Sequence, residues 1–359
     1  MSALRRRLGP VAVGALALTT LLSLFGRHAW LLDLLTFGRQ HLAVISVVLV
    51  AATAPARRWR LALVALACAA VNGVSMLPAP TASVSPAAAA AAATPVRVLS
   101  LNLLASNPRR NPTLDSLHAG EADIVVLQEF GPRWSRRLRA LAELYPYSFP
   151  PPDGRYNSNV IFSRYPLVEA ALLDPSDPHL SRWNRPIRAV ADIDGRELVV
   201  YVVHPPTPRS REQWRQRNAE LMWLGSLSRS LDGRRTRLMA GDFNTPPWSF
   251  LFGDLIAASG LGDASGGGLR MPTRQPRLLT PYLAWLGAPV DHVLVSPDIM
   301  VTNYFVGANT YSDHLPVIAD LLLPPGRAVS PPRRALPDSA ASSPHTSPCR
   351  AGSAPPARG

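Results

Sequence analysis

Three long apolar runs separated by charged breaks occupy the first 77 residues of the chain. They extend from Leu8 to Phe25, from Leu42 to Ala56 and from Leu61 to Leu77. Each run is somewhat shorter than the roughly 20 residues that cross a bilayer comfortably, although flanking residues can extend the first two. A secreted soluble protein would not carry two further apolar runs behind a signal peptide. The pattern therefore favours an uncleaved membrane anchor at residues 1–77, with about three transmembrane helices.

Arginines flank these runs unequally. Arg5–Arg7 precede the first run, and the segment Arg57–Arg60 separates the second from the third. Because cytoplasmic loops carry an excess of Lys and Arg, both segments are expected in the cytoplasm. Three spans then place everything after Leu77 outside the cytoplasm. If the run near Leu42 were re-entrant, the following domain would face the inside, so the number of spans decides the sidedness.

The composition changes twice after the last apolar run. Residues 78–95 are rich in alanine and proline and have no periodic apolar face, which predicts a semi-extended linker. Residues 325–359 consist largely of proline, serine, alanine and arginine, which predicts a disordered tail. The folded domain is therefore expected at residues 96–324.

Within 96–324 the pattern predicts a mixed α/β domain rich in strands. Short continuous apolar runs indicate buried strands, and longer stretches with helical spacing indicate helices that cover them. The Asp194-Gly195 pair between two strand patterns is a hairpin signal. The order fits two sheets packed face to face with helices outside. Strands are predicted at 96–102, 124–128, 159–163, 189–193, 198–204, 237–240, 290–296, 303–307 and 315–323, and helices at 115–120, 133–144, 210–231 and 250–259.

The charge adds little to this picture. The net charge of +13 comes from arginine alone, since the sequence contains no lysine. Much of that arginine lies near the two ends of the chain, so the basic balance is weak evidence for a nucleic-acid partner. Cys68 lies in an apolar run and Cys349 in the tail. Neither an intrachain disulfide nor a zinc site is expected from these two cysteines.

Acidic, amide and imidazole residues end the predicted strands. In the stretch Met239–Pro246 a buried strand breaks at Gly241 and presents Asp242 and Asn244. Side chains at i and i+2 share one face of an extended chain, so these two would converge. Taken alone, the stretch also fits a turn in which Asp and Asn bond their own backbone. Comparable residues at other strand ends favour a shared site; they are Asn102, Glu129, His204, Asp291, His292, Asp313 and His314.

This residue set suits one kind of chemistry. Carboxylate and amide oxygens without cysteine are the ligands that Mg²⁺ prefers, with Mn²⁺ as the alternative ion. Histidines with carboxylate neighbours act as general acids and bases near neutral pH. A divalent ion together with an acid and a base is what hydrolysis of a phosphate ester or anhydride requires. The sequence carries no Ser nucleophile elbow, P-loop or dinucleotide fingerprint that would favour another chemistry.

Seven short motifs, in order, resemble the endonuclease/exonuclease/phosphatase superfamily over residues of about 96 to 324. The resemblance implies an α/β fold, a DNase I-like four-layer α/β sandwich, and Mg²⁺-dependent phosphoesterase chemistry. The motifs are Leu-Asn-Leu-Leu at 101–104, Val-Leu-Gln-Glu at 126–129, Asn-Val-Ile-Phe-Ser-Arg-Tyr-Pro at 159–166, Val-Val-His at 202–204, Gly-Asp-Phe-Asn at 241–244, Val-Asp-His-Val at 290–293 and Ser-Asp-His-Leu-Pro at 312–316.

The resemblance also implies a metal site. Glu129 would bind the ion, with Asn102 beside it and Asp313 as a further ligand. His292 would lie on the opposite face of its strand from Asp291, so it is given no role.

The same resemblance implies the catalytic groups. His314 would be the general base or a phosphate-contacting imidazole, oriented by Asp291. His204 would be the acid or a second phosphate-contacting histidine. Asp242 and Asn244 would position water or stabilise the transition state. Whether Asp242 or His314 takes the proton stays open at this point.

The combination of three apolar runs, a linker and an outward-facing domain resembles the teicoplanin-resistance membrane phosphatases. That resemblance implies a multi-pass cell-membrane protein whose extracytoplasmic domain acts on lipid carriers of the undecaprenyl-pyrophosphate type, with a link to glycopeptide resistance. A domain held close to a bilayer meets lipid phosphates at high effective concentration. Trp248 is a candidate contact for a lipid tail, with packing against the sheet as the alternative. No protein partner is inferred.

Two other hydrolases fit the same motifs. An extracytoplasmic nuclease is one, although Arg133–Arg139 is the one clustered basic-aromatic stretch, and it also fits a solvated helix face. A sphingomyelinase-like phospholipid phosphodiesterase is the other. A catalytically inactive binding domain is disfavoured by the intact acid and base set.

Overall fold

A bundle of helices forms the N-terminal part of the chain. The computed structural model describes residues 2–77, 93–119, 121–150, 158–174, 184–276 and 283–325. Most of the predicted linker and nearly all of the predicted tail lie outside these residues. The first helices are α1 (Ser2–Ser23), α2 (Trp30–Thr36), α3 (Arg39–Thr53) and α4 (Trp59–Val74), and α1, α3 and α4 pack against one another.

The helices of this bundle are short. Among the described residues, no single helix is both long and apolar enough to cross a membrane. Helices α2 and α3 meet that requirement only as a pair, by length and composition, and the pair is bent by 60°.

The rest of the described chain forms two mixed sheets of six strands each. The elements are β1 (Thr94–Asn102), α5 (Asn111–Ala119), β2 (Ile124–Gln128), α6 (Pro132–Leu138), β3 (Tyr147–Phe149), β4 (Val160–Ser163), β5 (Leu167–Leu172), β6 (Ile187–Ile193), β7 (Arg196–Val203), α7 (Arg211–Asp232), β8 (Arg237–Asp242), α8 (Phe250–Ser259), β9 (Gly262–Asp263), β10 (Asp291–Val295), β11 (Met300–Val306) and β12 (Val317–Leu323), with 3-10 helices at Arg139–Glu143 and Ala284–Leu286.

Each sheet has a parallel pair near its centre. The first sheet runs β11-β12-β1-β2-β4-β3, with β1 parallel to β2. The second runs β5-β6-β7-β8-β10-β9, with β7 parallel to β8. Strand β10 is antiparallel to β8, so that Asp291 at its start lies opposite Asp242 at the end of β8. The carboxyl ends of the central strands and the start of β10 therefore meet at one edge of the sheets.

Apolar side chains form three cores, which define four layers. Successive residues of β8 face two different cores. Leu238 packs between the two sheets, whereas Met239 packs on the other face of its sheet, under α7 and α8. On the first sheet Leu99 packs toward α5 and α6, together with Trp134. Strands buried on both faces read as continuous apolar runs, which is why the sequence revealed them. The order helix, sheet, sheet, helix confirms the predicted α/β sandwich.

The predicted elements are present, with ends within about four residues of the expectation. Asp194 and Gly195, with φ of 51° and 81°, form the predicted tight turn between β6 and β7. Strands β3, β5 and β9 were not predicted from the sequence. These are very short or, like β5 with Val168 54% exposed, lie at a sheet edge where the apolar pattern is weak.

Candidate active site

The predicted residues gather at the edge where the central strands end. Asn102 ends β1, Glu129 follows β2, His204 follows β7 and Asp242 ends β8. Asn102, His204 and Asp242 are buried, and Glu129 is partly buried. Glu129 has a φ of 54°, an uncommon backbone conformation that clusters at functional sites.

Gly241 allows strands β7 and β8 to approach closely beside the site. Its φ is 150°, and a Cβ placed there would lie 2.0 Å from the carbonyl oxygen of Val203. Only glycine tolerates this approach. It brings the residue after β7 next to the end of β8, with His204 Nε2 3.7 Å from Asp242 Oδ2.

Asp242 takes part in both a local turn and the site. Its Oδ1 accepts the backbone N–H of Asn244 at 2.9 Å, and Asn244 has a left-handed φ of 50°. The turn interpretation of this stretch therefore holds, and the expectation that the two side chains share one face of an extended strand was wrong because the chain leaves the extended conformation at Asn244. The second oxygen of Asp242, Oδ2, faces the histidines and Asn102.

Asn244 is held firmly by its surroundings. Its Nδ2 donates to the carbonyl of Pro205 at 3.0 Å, and its own carbonyl accepts a hydrogen bond from Arg217 Nη1 at 2.9 Å. Its Oδ1 is buried and has no hydrogen-bond partner within the described residues. A buried acceptor without a partner calls for an explanation, and a bound ligand is one.

His314 lies between two carboxylates. Its Nδ1 is 2.9 Å from Asp291 Oδ2, and its Nε2 is 3.6 Å from Asp242 Oδ2. Burial opposes the charged form of the imidazole, but the carboxylates of Asp291 and Asp242 outweigh burial and raise the pKa of His314 to about 9. The Asp291 carboxylate is placed by β10, whose first N–H donates to Thr273 Oγ1 at 3.1 Å. The pairing of His314 with Asp291 is the one that the resemblance implied.

His204 and Asp242 have opposite electrostatic environments. Burial lowers the pKa of His204, and the nearby carboxylates of Asp242 and Glu129 offset this only in part. Burial also opposes the charge on Asp242, but His314 and His204 outweigh it and hold the pKa of that carboxyl below its usual range. At neutral pH the site therefore holds an ionised Asp242 between a neutral His204 and a protonated His314.

Asn102 bridges Asp242 and a second carboxylate, that of Glu129. Its Nδ2 lies 3.1 Å from Asp242 Oδ2 and 3.3 Å from Glu129 Oε1. Its Oδ1 accepts the N–H of Leu104 at 3.0 Å, and Glu129 Oε2 accepts the N–H of Ala105 at 2.9 Å. Two acidic side chains thus converge on one small region where a positive group is favourable.

The residues present fit a hard divalent cation. Asp242, Asp291 and His314 could each place a ligand atom within 4.8 Å of the others. The protonated His314, however, is paired with Asp291, and a metal ligand must be deprotonated. The oxygen-rich side formed by Glu129, Asn102 and Asp242 is therefore the better fit for Mg²⁺.

Asp313 lies in the wall of the same cavity as Glu129 and His314. Its carboxylate makes no hydrogen bond or ion pair within the described part of the chain. Its assignment as a further metal ligand stays a prediction.

A cavity of about 700 Å³ opens over these residues and includes groups that the sequence analysis missed. Arg209, Arg274 and Thr207 line it from loops, and Phe37 and His41 line it from the N-terminal region. The two arginines suit it to an anionic substrate. Arg209 follows His204 by five residues, which was a signal that could have been used. Arg274 and His41 are brought in by tertiary packing and carry no local pattern.

Two residues lie away from the catalytic cluster. His292 is fully buried, its Nε2 donates to the carbonyl of Thr245 at 2.9 Å, and its ring packs against Phe243 and Phe252. It lies in the core and outside the catalytic cluster, as its position on the opposite face of β10 predicted, and its buried Nδ1 has no hydrogen-bond partner within the described residues. Trp248 is buried too, and its Nε1 donates to the carbonyl of Thr36 at 2.6 Å. Trp248 thus contacts the N-terminal region, an arrangement that the sequence analysis did not anticipate.

Comparisons with known proteins place this geometry in a family. A sequence model of the Endonuclease/Exonuclease/phosphatase family matches residues 99–314. No curated protein sequence matches the chain.

Solved structures share the fold at low sequence identity. An endonuclease/exonuclease/phosphatase from Beutenbergia cavernae is 22% identical, over 65% of this chain and 72% of that chain, with a TM-score of 0.50. A humanized D. rerio TDP2 is 16% identical, over 63% of this chain and 98% of that chain, with a TM-score of 0.51. Sphingomyelinase C from Streptomyces griseocarneus is 18% identical, over 63% and 99% of the two chains, with a TM-score of 0.50.

Proposed function

Because the chain belongs to the endonuclease/exonuclease/phosphatase family, whose members are metal-dependent hydrolases of phosphoester bonds, we propose that it hydrolyses a phosphate ester or anhydride of a membrane lipid. The observation that carries the lipid part is the packing of an apolar helical bundle directly against the catalytic domain, beside the cavity. Lipid carriers of the undecaprenyl-pyrophosphate type are the substrates in this proposal, and a role in teicoplanin resistance follows from it. The proposed location is the cell membrane, with the catalytic domain outside the cytoplasm.

The exposed surface of the bundle supports a membrane location. Val11 in α1, Val47 in α3 and Leu63 in α4 are 67%, 61% and 64% exposed. Large apolar surfaces of this kind are rare on proteins surrounded by water. Helix α4 has 16 residues, about 24 Å of helix against a hydrocarbon core of about 30 Å. Local thinning of the bilayer accommodates a difference of this size.

The placement of the arginines supports the orientation. A Cβ at Gly9 would lie 2.8 Å from Arg58 Nη1, so the start of α1 and the turn between α3 and α4 lie at the same end of the bundle. The other end contacts the catalytic domain, where Gly268 N donates to the carbonyl of Met76 at 2.8 Å. The arginine-rich end therefore lies opposite the catalytic domain, as three spans with a cytoplasmic N-terminus require.

The proposed chemistry assigns each group a task. Glu129 and Asn102 would hold the divalent ion beside Asp242, and the ion when bound would stabilise negative charge on phosphoryl oxygens and acidify water. Arg274 and Arg209, which also line the cavity, bind the substrate phosphate.

The proton transfers fall to the carboxylate and the histidines. Asp242 Oδ2 orients the attacking water and takes its proton, because the neighbouring Asp291 carboxylate favours the protonated form of His314, which leaves that imidazole a donor. His314, fixed by Asp291, donates a hydrogen bond from Nε2 to the phosphoryl group. His204, whose Nε2 also lies near Asp242 Oδ2, contacts a second phosphoryl oxygen.

One substrate panel tests the proposal. The full chain, purified in detergent with Mg²⁺, is offered undecaprenyl pyrophosphate, plasmid DNA, single-stranded RNA and sphingomyelin. We expect phosphate release from the polyprenyl substrate that is lost with EDTA, recovers with Mg²⁺ and is absent in His314→Ala. The exposed His118 gives the control, and His118→Ala should keep full activity. Cleavage of DNA without polyprenyl turnover would assign a nuclease instead.

A fusion tests the sidedness. Green fluorescent protein placed after Gly359 becomes fluorescent only if it folds in the cytoplasm. The three-span arrangement predicts that the fusion protein is expressed at a normal level but is not fluorescent. A fluorescent fusion would refute this arrangement.

A further inference from the structure

Part of the active-site cavity is built by the N-terminal region. Phe37, Gly38 and His41 line it together with Glu129 and His314. These three residues lie at the bend between α2 and α3, outside the range 99–314 that matches the family. The region beside the helices is therefore also a wall of the catalytic site.

Hydrogen bonds hold this wall in place on both sides of the bend. Trp248 Nε1 donates to the carbonyl of Thr36 at 2.6 Å, and Arg39 Nη1 donates to the carbonyl of Trp248 at 3.2 Å. On the far side, His41 Nε2 donates to the carbonyl of Trp285 at 2.7 Å, and the two rings are 5.8 Å apart. Contacts on both sides make the wall a fixed surface against which a substrate can be selected.

An exposed apolar stripe continues from this wall along α3. His41, Val44, Ile45 and Val48 follow the spacing i, i+3, i+4 and i+7, so they share one face of the helix. Val44, Ile45 and Val48 are 50%, 47% and 59% exposed. The stripe begins at the cavity and runs away from the catalytic domain. Val47 of the same helix is 61% exposed as well, so α3 offers a continuous apolar surface along which an extended apolar chain can lie.

We propose that Phe37, Gly38 and His41 admit a phosphate that is attached to one long apolar chain, and that the chain lies along Val44, Ile45 and Val48 of α3. The proposal rests on the proposed function and adds the residues that would determine substrate specificity. The phosphate would sit at the catalytic cluster while the chain leaves the cavity toward the bilayer. Burial of apolar side chains against the chain would favour long-chain over short-chain substrates.

The test compares two substrates with the same headgroup. The full chain in lipid nanodiscs hydrolyses undecaprenyl pyrophosphate and, separately, water-soluble dimethylallyl pyrophosphate. In the triple variant Val44→Ser, Ile45→Ser, Val48→Ser we expect the ratio of kcat/KM for long over short chain to fall about tenfold or more, with the short substrate unchanged. The matched control is Leu63→Ser with Leu66→Ser, which alters equally exposed apolar residues of α4 and should leave the ratio unchanged.

The outcomes separate the two proposals. An unchanged ratio in the triple variant overturns the proposal that the apolar chain lies along α3. An equal loss of kcat/KM on both substrates overturns it too. Either result leaves the proposed lipid phosphatase activity intact. Faster hydrolysis of a two-chain phospholipid than of undecaprenyl pyrophosphate also overturns the proposed placement of the chain along α3. Wild-type enzyme that hydrolyses neither pyrophosphate refutes the proposed function itself.

Discussion

Asp33 Oδ2 lies 2.6 Å from Arg217 Nη2, and both side chains are buried. Asp33 belongs to α2 in the N-terminal region, whereas Arg217 belongs to α7 of the catalytic domain. Trp214 Nε1 donates to the same carboxylate oxygen at 3.1 Å. Arg217 in turn donates to the carbonyl of Asn244. A buried ion pair thus joins the helical bundle to a residue of the candidate active site.

Removal of the Asp33 carboxylate should destabilise the protein strongly. In Asp33→Ala the guanidinium of Arg217 is left buried without its anionic partner, which costs about 3 to 5 kcal/mol. The control is Asp254→Ala, which breaks the ion pair with Arg27; the two side chains are 39% and 55% exposed, so less than about 1 kcal/mol is expected. Thermal unfolding of the detergent-solubilised chain measures the loss of stability in both variants. Equal shifts in Tm for the two variants would contradict a structural role for the buried pair.

Neutralising Asp291 should impair turnover more than substrate binding. Asp291→Asn keeps the shape of the side chain but removes the negative charge that orients His314 and favours its protonated form. We therefore expect kcat to fall by about 10²- to 10⁴-fold with KM little changed. The pKa of His314, followed by NMR, should fall in the same variant. Asp298→Asn, at an exposed carboxylate, is the control. A normal kcat together with a lowered pKa of His314 would show that its charge does not matter for the reaction.

Gly241 should not tolerate a side chain. In Gly241→Ala the new Cβ would lie 2.0 Å from the carbonyl oxygen of Val203, so strands β7 and β8 must separate. We expect a loss of stability of about 4 kcal/mol or more and displacement of His204 from Asp242. The control is Gly253→Ala on the exposed face of α8, where the added Cβ has no heavy atom within 4 Å. Because alanine favours helix more than glycine does, this variant should be more stable than the wild type by up to about 1 kcal/mol. Wild-type Tm in Gly241→Ala would contradict the close approach of the strands.

The central strands and the residues at their ends could be predicted from the sequence because both signals are local. A strand such as β8 is buried on both faces and so forms a continuous apolar run, and Asp242 follows it directly. Glu129, His204 and Asp291 stand at comparable strand ends, and the fold brings these ends together. The side-chain alternation rule failed at Asn244, where the backbone turns into the left-handed region.

The docking of the N-terminal region could not be predicted in this way. It depends on pairs such as Trp248 with Thr36 and Arg217 with Asp33, which are far apart in the sequence. A single Asp in a seven-residue helix resembles an ordinary polar break between apolar runs. Its role becomes evident only when the partner on the catalytic domain is known.

Glu220 should make the stability of the protein depend on pH. It lies in α7, is 1% exposed, and neither of its carboxylate oxygens has a hydrogen-bond partner within the described residues. Burial raises the pKa of Glu220 from 4.5 to about 8. Between these values the folded state holds a proton that the unfolded chain has released. The contribution of this group to the free energy of unfolding is therefore largest below pH 4.5 and falls by about 1.4 kcal/mol per pH unit up to pH 8.

Glu220→Gln removes the titrating group while keeping the shape of the side chain. We expect the variant to have a higher Tm than the wild type at pH 7.5. The difference should shrink toward pH 5, because at a pH so close to the unfolded-state pKa of 4.5 little of the pH-dependent loss of stability has occurred. Glu212→Gln, on the exposed face at the start of the same helix, should change Tm by a similar amount at both pH values. Parallel curves of Tm against pH for the wild type and Glu220→Gln would mean that Glu220 is ionised in the folded protein and that an unseen positive group or water stabilises it.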